Sequence, residues 1–590
     1  MNNLRGAKLV KDLPEGGAFL IEPTSAQSVF TPEDFNEEHR MIVRTASRFV
    51  DEKVLPVMDD LESQKEGLIA RLLKDAGELG LLGTEIPSEY DGTEMDKISA
   101  TIITEEFGKA GSFSQAHGAQ TGIGSLPIVF FGTDEQKSKY LPGIVSGERI
   151  AAYALTEPGA GSDAMALKTR ASLSADGRFY ILNGAKQFIT NAGVADLFIV
   201  YARLDDKISA FIVDAPSEGL STGLEEKKMG IKGSSTRSVF LDDVKVPVEN
   251  LLFEAGRGHV VAFDILNMGR YKLAAAAVGM AKLALKVSSG YANERVQFNV
   301  PIARFGLIKE KIAEMAVRTY AAESSVYRTG GLIEETLRSM DSSGAEGRRA
   351  TARAMEKYAV ECSINKVFAT EVLGFVVDEG VQIHGGYGYI SEYPIERLYR
   401  DARIYRIFEG TSEVNRFLIP TMLIRRTVRD GLPLLGAAAR LTKRFEAPAD
   451  FPVPIDAGAL VQASKDLFLF ALGVGWQTCG EDLLKRQEIL GRLADLAIGV
   501  FEMESALLRV QKNMEKDAGS FMSKRNMNMA QAFIYTHFPK LGPVAGEILS
   551  ELSDGRDLEL LDARLAKLMR YIPINVIGLR RKIADETLGG

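Results

Sequence analysis

The sequence predicts a mainly α-helical protein with a central β domain and a further α-helical domain at its C-terminus. Three observations carry this. Apolar residues recur with the helical period over residues 31–150 and again over 265–427. Over 151–264 that pattern gives way to short alternating and β-branched runs. A Pro-rich stretch, Ala447-Pro448 to Pro452-Val453-Pro454, then separates a third helical region, 455–590.

Residues 1–30 read as an irregular leader. Thr31-Pro32-Glu33-Asp34 is a helix start: a capping hydroxyl, proline in the first turn, then acidic side chains. The N-terminal helical domain, 31–150, is punctuated by Pro87, Gly92 and Gly132. In the middle domain, 151–264, Asp176-Gly177 is a hairpin turn signal before the alternating Phe179-Tyr180-Ile181-Leu182. Leu197 to Tyr201 and Ala210 to Val213 suit buried strands, and Val239 to Leu241 with Val244 to Pro247 close the domain. Residues 265–427 form a helical bundle, 428–454 a basic linker, and 455–590 the last domain.

There is an internal match. Residues 312–328 align without a gap with 493–509, so that Ala313, Ala316, Glu323, Ser324 and Arg328 recur as Ala494, Ala497, Glu504, Ser505 and Arg509. Two amphipathic helices can converge on one pattern. Duplication is the alternative, because phase holds over more than four turns at 3.6 residues per turn. The last domain would then be a degenerate copy of the 265–427 bundle.

Composition narrows the function. The net charge of −8 argues against nucleic acid as a partner. Cys362 and Cys479 form no CxxC, and the histidines at 39, 117, 259, 384 and 537 are scattered, so no metal site is expected. The N-terminus has no apolar signal core and no uninterrupted apolar run approaches the ~20 residues that span a bilayer. We expect a cytoplasmic protein, at most peripheral at the inner face of the membrane.

Two segments carry chemistry. Gly159-Ala160-Gly161-Ser162-Asp163-Ala164 satisfies the dinucleotide fingerprint G-x-G-x-x-A. That fingerprint needs a strand before it and a helix after it, whereas Pro158 precedes this one and a strand-like pattern follows. A Rossmann reading fails on context. The second segment is Arg406-Ile407-Phe408-Glu409-Gly410-Thr411-Ser412-Glu413-Val414-Asn415-Arg416. A lone Glu before Gly is ordinarily a surface turn, but here an apolar approach would raise the pKa of Glu409 toward that of a useful base.

With Tyr153-Ala154-Leu155-Thr156-Glu157-Pro158-Gly159 leading into the glycine turn, these segments make the chain resemble the acyl-CoA dehydrogenase family over roughly 35–430. The resemblance implies that family's fold: an α-helical domain, a β-barrel-like domain and an α-helical bundle. It implies FAD as cofactor and α,β-dehydrogenation of an acyl-CoA, with Glu409 taking the α proton and flavin N5 the β hydride. The Glu409 N–H and a flavin ribityl hydroxyl would hold the thioester carbonyl, in the manner of an oxyanion hole.

The family's site residues carry over motif by motif. Tyr153, Leu155, Thr156, Gly161 and Ser162 would line the isoalloxazine, Ser162 also meeting substrate. In Asn183 to Asn191, Phe188 stands where the family usually has Trp over the flavin, and Thr190 where a hydroxyl approaches N5. In Glu294-Arg295-Val296-Gln297-Phe298-Asn299-Val300-Pro301-Ile302, Arg295 would meet the pyrophosphate and Phe298 the adenine end, although Asn299 replaces a usual Gly. Gln382-Ile383-His384-Gly385-Gly386-Tyr387-Gly388-Tyr389 is similar to a segment that reaches the neighbouring subunit's FAD through Gln382 and Gly386. Thr411 and Glu413 lie at flavin-touching positions. Arg270, Asn267, Phe408 and Gly410 would contact substrate. Some relatives carry the base near position 269; Gly269 cannot act as one, which favours Glu409.

The length beyond 430, with Lys227-Lys228-Met229-Gly230-Ile231-Lys232 and Ile265 to Arg270, resembles the very-long-chain branch. It implies long-chain acyl-CoA as substrate, electron-transfer flavoprotein as acceptor and a homodimer. Arg425, Arg426, Arg429, Arg440, Lys443 and Arg444 around Leu432, Leu434, Leu435, Leu441 and Phe445 would suit a basic loop packed on its own protein or one resting on an anionic membrane. An acyl-CoA oxidase and a non-catalytic scaffold of the same fold are the alternatives.

Overall fold

The computed structural model describes residues 13–340, 350–446, 451–553 and 555–589. Residues 1–12 of the leader, 447–450 of the Pro-rich linker and Gly590 lie outside the described residues.

The N-terminal domain contains α1 (Glu37–Phe49), α2 (Leu68–Glu78), α3 (Lys97–Gly108), α4 (Ser112–Gly118) and α5 (Asp134–Ser146). Side-chain caps start three of them: Asn36, Asp96 and Thr133 accept from the N–H groups of His39, Ser99 and Gln136. Thr31 to Asp34 makes only a single capped turn, Pro32–Asp34, because Phe35 leaves helical geometry and Asn36 recaps the chain. The leader from residue 13 is an anchored strap. Gly17 N donates to the Glu361 carboxylate at 2.7 Å, Lys465 Nζ to the Glu22 carbonyl at 3.0 Å, and Lys512 Nζ to the Val29 carbonyl at 2.7 Å.

The middle domain is one sheet of β1 (Ala151–Ala154), β2 (Arg170–Leu173), β3 (Phe179–Thr190), β4 (Leu197–Leu204), β5 (Lys207–Asp214), β6 (Leu220–Thr222), β7 (Thr236–Pro247) and β8 (Leu251–Leu252). The strand order is β6-β7-β3-β2-β4-β5-β8, with β1 parallel to β4. Along β4, Phe198 and Val200 face a core of their own with Phe211 and Val213, while Leu197, Ile199 and Tyr201 face the helical core. Burial on both faces is why these strands read as unbroken apolar runs. Between Lys186 and Ile189 the β3–β7 register shifts, and Phe188 takes a left-handed φ of 58° at that bulge. The glycine segment forms a turn bridged between Glu157 and Ala160, then a short 3-10 turn, then β2. No helix N-terminus meets it.

The second helical unit holds α6 (Gly258–Glu294), α7 (Gly306–Ser339), α8 (Ala359–His384), α9 (Pro394–Ala402) and α10 (Ser412–Arg429). α6 begins at Gly258, not at Ile265. A side chain at Gly258 would meet the Ser209 backbone at 2.7 Å, so the glycine lets the helix start against β5. α8 packs along α6. α11 (Leu434–Glu446) follows Pro433, then α12 (Ala457–Cys479), α13 (Gln487–Asp517), α14 (Phe521–Leu552) and α15 (Val576–Gly589). The apolar side chains of the basic linker do not face outward. Leu432, Leu434 and Leu441 are buried, and Phe445 stacks on Phe451. Residues Gly258–Glu294 and Ala457–Lys485 are long and apolar enough to cross a bilayer by length and composition, a property no uninterrupted apolar run suggested, and both are mostly buried core helices.

The internally matched helices, α7 and α13, lie against each other and exchange the same contacts in both directions. Arg328 donates to Glu504 at 2.7 Å and to Ser505 at 3.1 Å, and Arg509 donates to Glu323 at 2.7 Å and to Ser324 at 3.2 Å. Arg328 stacks on Phe501 and Arg509 on Tyr320.

Candidate functional site

Glu409 sits in the connection between α9 and α10, which doubles back through two left-handed residues, Glu409 (φ 55°) and Gly410 (φ 81°). Left-handed geometry costs a non-glycine residue about 1 kcal/mol or more and persists only where the surroundings hold it. Here three side chains grip the turn's carbonyls. Asn415 Nδ2 donates to the Gly410 and Thr411 carbonyls at 2.8 and 3.0 Å. Arg270 Nε donates to the Glu409 carbonyl at 3.3 Å, and Lys366 Nζ to that of Gly410 at 2.7 Å. With the carbonyls engaged, the Glu409 N–H donates to no described acceptor.

The Glu409 carboxylate lies against Gly269 of α6, where a Cβ would stand 2.5 Å from Oε2. Oε2 is shut off from solvent and has no hydrogen-bond partner among the described residues. Burial pushes the carboxyl up to about 7, against the opposing pull of Arg270 and Lys366. The carboxylate faces a cavity of about 100 Å³ lined by Phe408, Thr190, Gln115, Lys272 and Leu273, among others. Arg270 is buried and oriented by Asn267, whose Oδ1 accepts from Nη1 at 2.8 Å.

The glycine turn of the β domain follows β1, in which Tyr153 is buried edge-on to Tyr201. The Leu155 carbonyl accepts from buried Lys186, which pairs with Glu157 at 2.7 Å, and Glu157 also accepts from Thr169 N at 3.0 Å. This ion pair fixes the turn that carries Thr156, Gly161 and Ser162. Gly161 and Ser162 are exposed, and a Cβ at Gly161 would meet nothing within 4 Å. The bulge turns Phe188 outward, 58% exposed, and Thr190 faces the Glu409 cavity. Thr411 caps α10, accepting from Val414 N at 3.2 Å, and Glu413 is exposed in its first turn.

The remaining predicted residues gather elsewhere. Arg295 lies over the Tyr387 ring, Phe298 is 88% exposed at φ 52°, and Gln382 and Gly386 are exposed. Arg270 and Arg295 stand on and at the end of one helix, about 37 Å apart at 1.5 Å per residue. One copy therefore holds two separate half-sites. His384 is structural: it stacks on Tyr291 and its Nδ1 bonds the Gly380 carbonyl at 2.7 Å.

Sequence reasoning missed Lys366 and Asn415. Asn415 lay inside the quoted motif. Lys366 had one visible signal: it is the lone lysine of α8, a mostly buried helix.

The exposed glycine turn, open at the place of a Gly161 Cβ, and the outward-turned Phe188 ring fit a flat conjugated ring such as a flavin. A raised carboxyl beside it defines a site for removing a proton from carbon next to a redox cofactor. The comparisons agree. Family models described as the N-terminal, middle and C-terminal domains of acyl-CoA dehydrogenase match residues 36–148, 152–244 and 256–423, and a further C-terminal-domain model matches 463–567. A "Probable acyl-CoA dehydrogenase" of Bacillus subtilis (strain 168) is 49% identical over 585 residues, 98% of each chain. The human "Very long-chain specific acyl-CoA dehydrogenase, mitochondrial" is 33% identical over 537 residues, 85% of this chain and 79% of that one. An acyl-CoA dehydrogenase complexed with FAD from Bacillus anthracis superposes with a TM-score of 0.95 at 49% identity, over 98% of this chain and 99% of that chain. The chain belongs to the acyl-CoA dehydrogenase family, and its cofactor is FAD.

Proposed function

We propose that the protein desaturates long-chain fatty acyl-CoA between Cα and Cβ in β-oxidation, with Glu409 as the base. The observation that carries the assignment of the base is the Glu409 carboxyl, raised to about 7 and aimed into the cavity from a turn tied at every carbonyl. Its pKa lies near neutrality, where a general base is most effective. The substrate thioester carbonyl would accept from the Glu409 N–H, which acidifies the α carbon; the Glu409 carboxylate takes the proton from Cα, and Arg270, behind the turn, stabilises the carboxylate before transfer. FAD, when bound, supplies the acceptor for the β hydride. Tyr153, Leu155, Thr156, Phe188 and Thr190 would hold its ring.

Long-chain preference is supported by the match to very-long-chain relatives across the extra domain. The cavity speaks for shorter chains: it is small, and Thr104, Gln115, Thr121 and Lys272 give it polar walls. The separation of the two half-sites supports a homodimer in which Arg295, Phe298, Gln382 and Gly386 of one copy complete the FAD site of the other. Electron-transfer flavoprotein is the proposed acceptor and the cytoplasm the proposed location. The basic linker offers an anionic membrane chiefly its charges, since Leu432, Leu434 and Leu441 are buried and Leu435 half-buried, so any such contact should weaken at high salt.

The test is the visible spectrum under anaerobic palmitoyl-CoA, repeated along a series of acyl lengths. Bleaching that is best with long chains supports the reading. Bleaching best with short chains overturns the preference, no bleaching with any acyl-CoA overturns the activity, and rapid reoxidation by O₂ favours an oxidase.

A further inference from the structure

Lys366 is fully buried on α8, yet its ammonium reaches the base turn and donates to the Gly410 carbonyl at 2.7 Å. A hydrogen bond alone does not require a charge there, because the neutral amide of Asn415 already donates to the same carbonyl at 2.8 Å. Burying an ammonium is costly unless its charge is used. What the charge faces is the carboxylate of Glu409.

We propose that Lys366 is a positioning residue for proton abstraction: its ammonium fixes the left-handed 409–410 turn through the Gly410 carbonyl and adds, beside Arg270, to the positive charge near the Glu409 carboxylate. This rests on the reading of Glu409 as the base. The groups that face Lys366 are Glu409 from the turn, Arg270 from α6, Glu371 from its own helix and Glu413 from α10. Burial draws the ammonium down to about 8, and Glu409 is the largest influence in the other direction. Glu409, raised by burial to about 7, is in turn pulled down by Arg270 and Lys366. Each charge therefore favours the other. Arg270 alone could supply charge, but its guanidinium is directed to Asn267 and the Glu409 carbonyl. Lys366 acts on the following peptide, so the turn is held at both of its left-handed residues.

The experiment uses the full FAD-loaded chain with Lys366→Met, which removes donor and charge, Lys366→Gln, which keeps a donor, and Glu409→Gln. The readouts are the bound-FAD spectrum, KM, kcat and the pH dependence of kcat. We expect Lys366→Met to retain FAD and change KM little while kcat falls roughly 10- to 100-fold, as loss of a charge-assisted hydrogen bond implies. The acid limb of the profile should move to higher pH in both Lys366 variants, because Glu409 then holds its proton more tightly. Lys366→Gln should recover part of kcat but not the position of the limb. A wild-type kcat and limb in Lys366→Met, with Glu409→Gln inactive, overturns the role of Lys366 and leaves the base standing. Turnover in Glu409→Gln overturns the base itself. Loss of fold or FAD in both Lys366 variants assigns the ammonium to stability and overturns the proposal as well.

Discussion

Gly269 is the position whose substitution tests the working place of the base most directly. An added Cβ would stand 2.5 Å from Glu409 Oε2, 2.6 Å from Cδ and 2.8 Å from Oε1. Carbon and oxygen approach comfortably no closer than about 3.3 Å, so in Gly269→Ala the carboxylate must retreat by roughly 0.8 Å. Displacing a reacting group by about 1 Å costs on the order of 10²-fold in rate, or ~2.7 kcal/mol of barrier. The fold should hardly notice. Alanine gains about 1 kcal/mol of helix propensity over glycine, against some 1–3 kcal/mol for crowding, and the crowded atoms are the free end of a side chain. The assay is turnover of palmitoyl-CoA with an artificial electron acceptor, alongside a thermal melt. A kcat some 10²-fold down with Tm nearly unchanged is expected, and in the Glu409→Gln background Gly269→Ala should cost nothing further. A kcat within threefold of the wild type would refute the argument that the carboxylate works from its place against α6.

Glu409→Gln should lower turnover by at least 10²-fold, the usual contribution of a general base, while the protein stays yellow. With the Glu409 carboxyl raised to about 7, kcat should fall as pH drops through that value, measured as the acid limb of its pH profile. The same shift has a stability consequence: a carboxyl whose folded pKa is above its unfolded value contributes stability at acid pH that is lost as pH rises through the folded pKa. Glu409→Gln should therefore melt higher than wild type at pH 8 but not at pH 4. Arg328→Met breaks a buried pair and should cost roughly 3 kcal/mol in denaturant unfolding, at the low end of the usual range because Lys465 still faces Glu504. Phe188→Ala should leave the melt unchanged, since the ring is 58% exposed, but speed the loss of FAD on gel filtration severalfold.

Much of this was legible in the sequence because local rules and global fold agree. Leu197 to Tyr201 read as a buried strand and is one, with alternate residues serving two cores. The turn around Glu157 was legible by family resemblance, while its support was not: nothing local says that Lys186, in a strand beyond the next turn, would be its buried partner. Thr31 to Asp34 misled because a good cap was followed by a second, Asn36, and only tertiary packing chose between them. The linker leucines were visible as an apolar set, but whether such a set meets lipid or protein depends on what packs against it, here α12. Lys366 was visible as the lone lysine of α8, but its role was not. Its partner is a carbonyl 44 residues away, and a backbone carbonyl leaves no mark in a sequence.

The contacts between α7 and α13 bear on how the second bundle is related to the first. A contact in which each element offers the other the same residues is the mark of a twofold interface between like units. Here it occurs within one chain: Arg328 with Glu504 and Ser505, Arg509 with Glu323 and Ser324. Val317 and Ile498, and Glu314 and Asp495, likewise line both sides of a cavity of about 270 Å³ between the bundles. We read the C-terminal domain as a duplicated bundle kept for this interface. Its retained residues are those that face α7, as a duplicate under selection for docking alone would keep. The base does not face α7. It is held by α6, α8 and α10, so the interface and the base are carried by different faces of the first bundle.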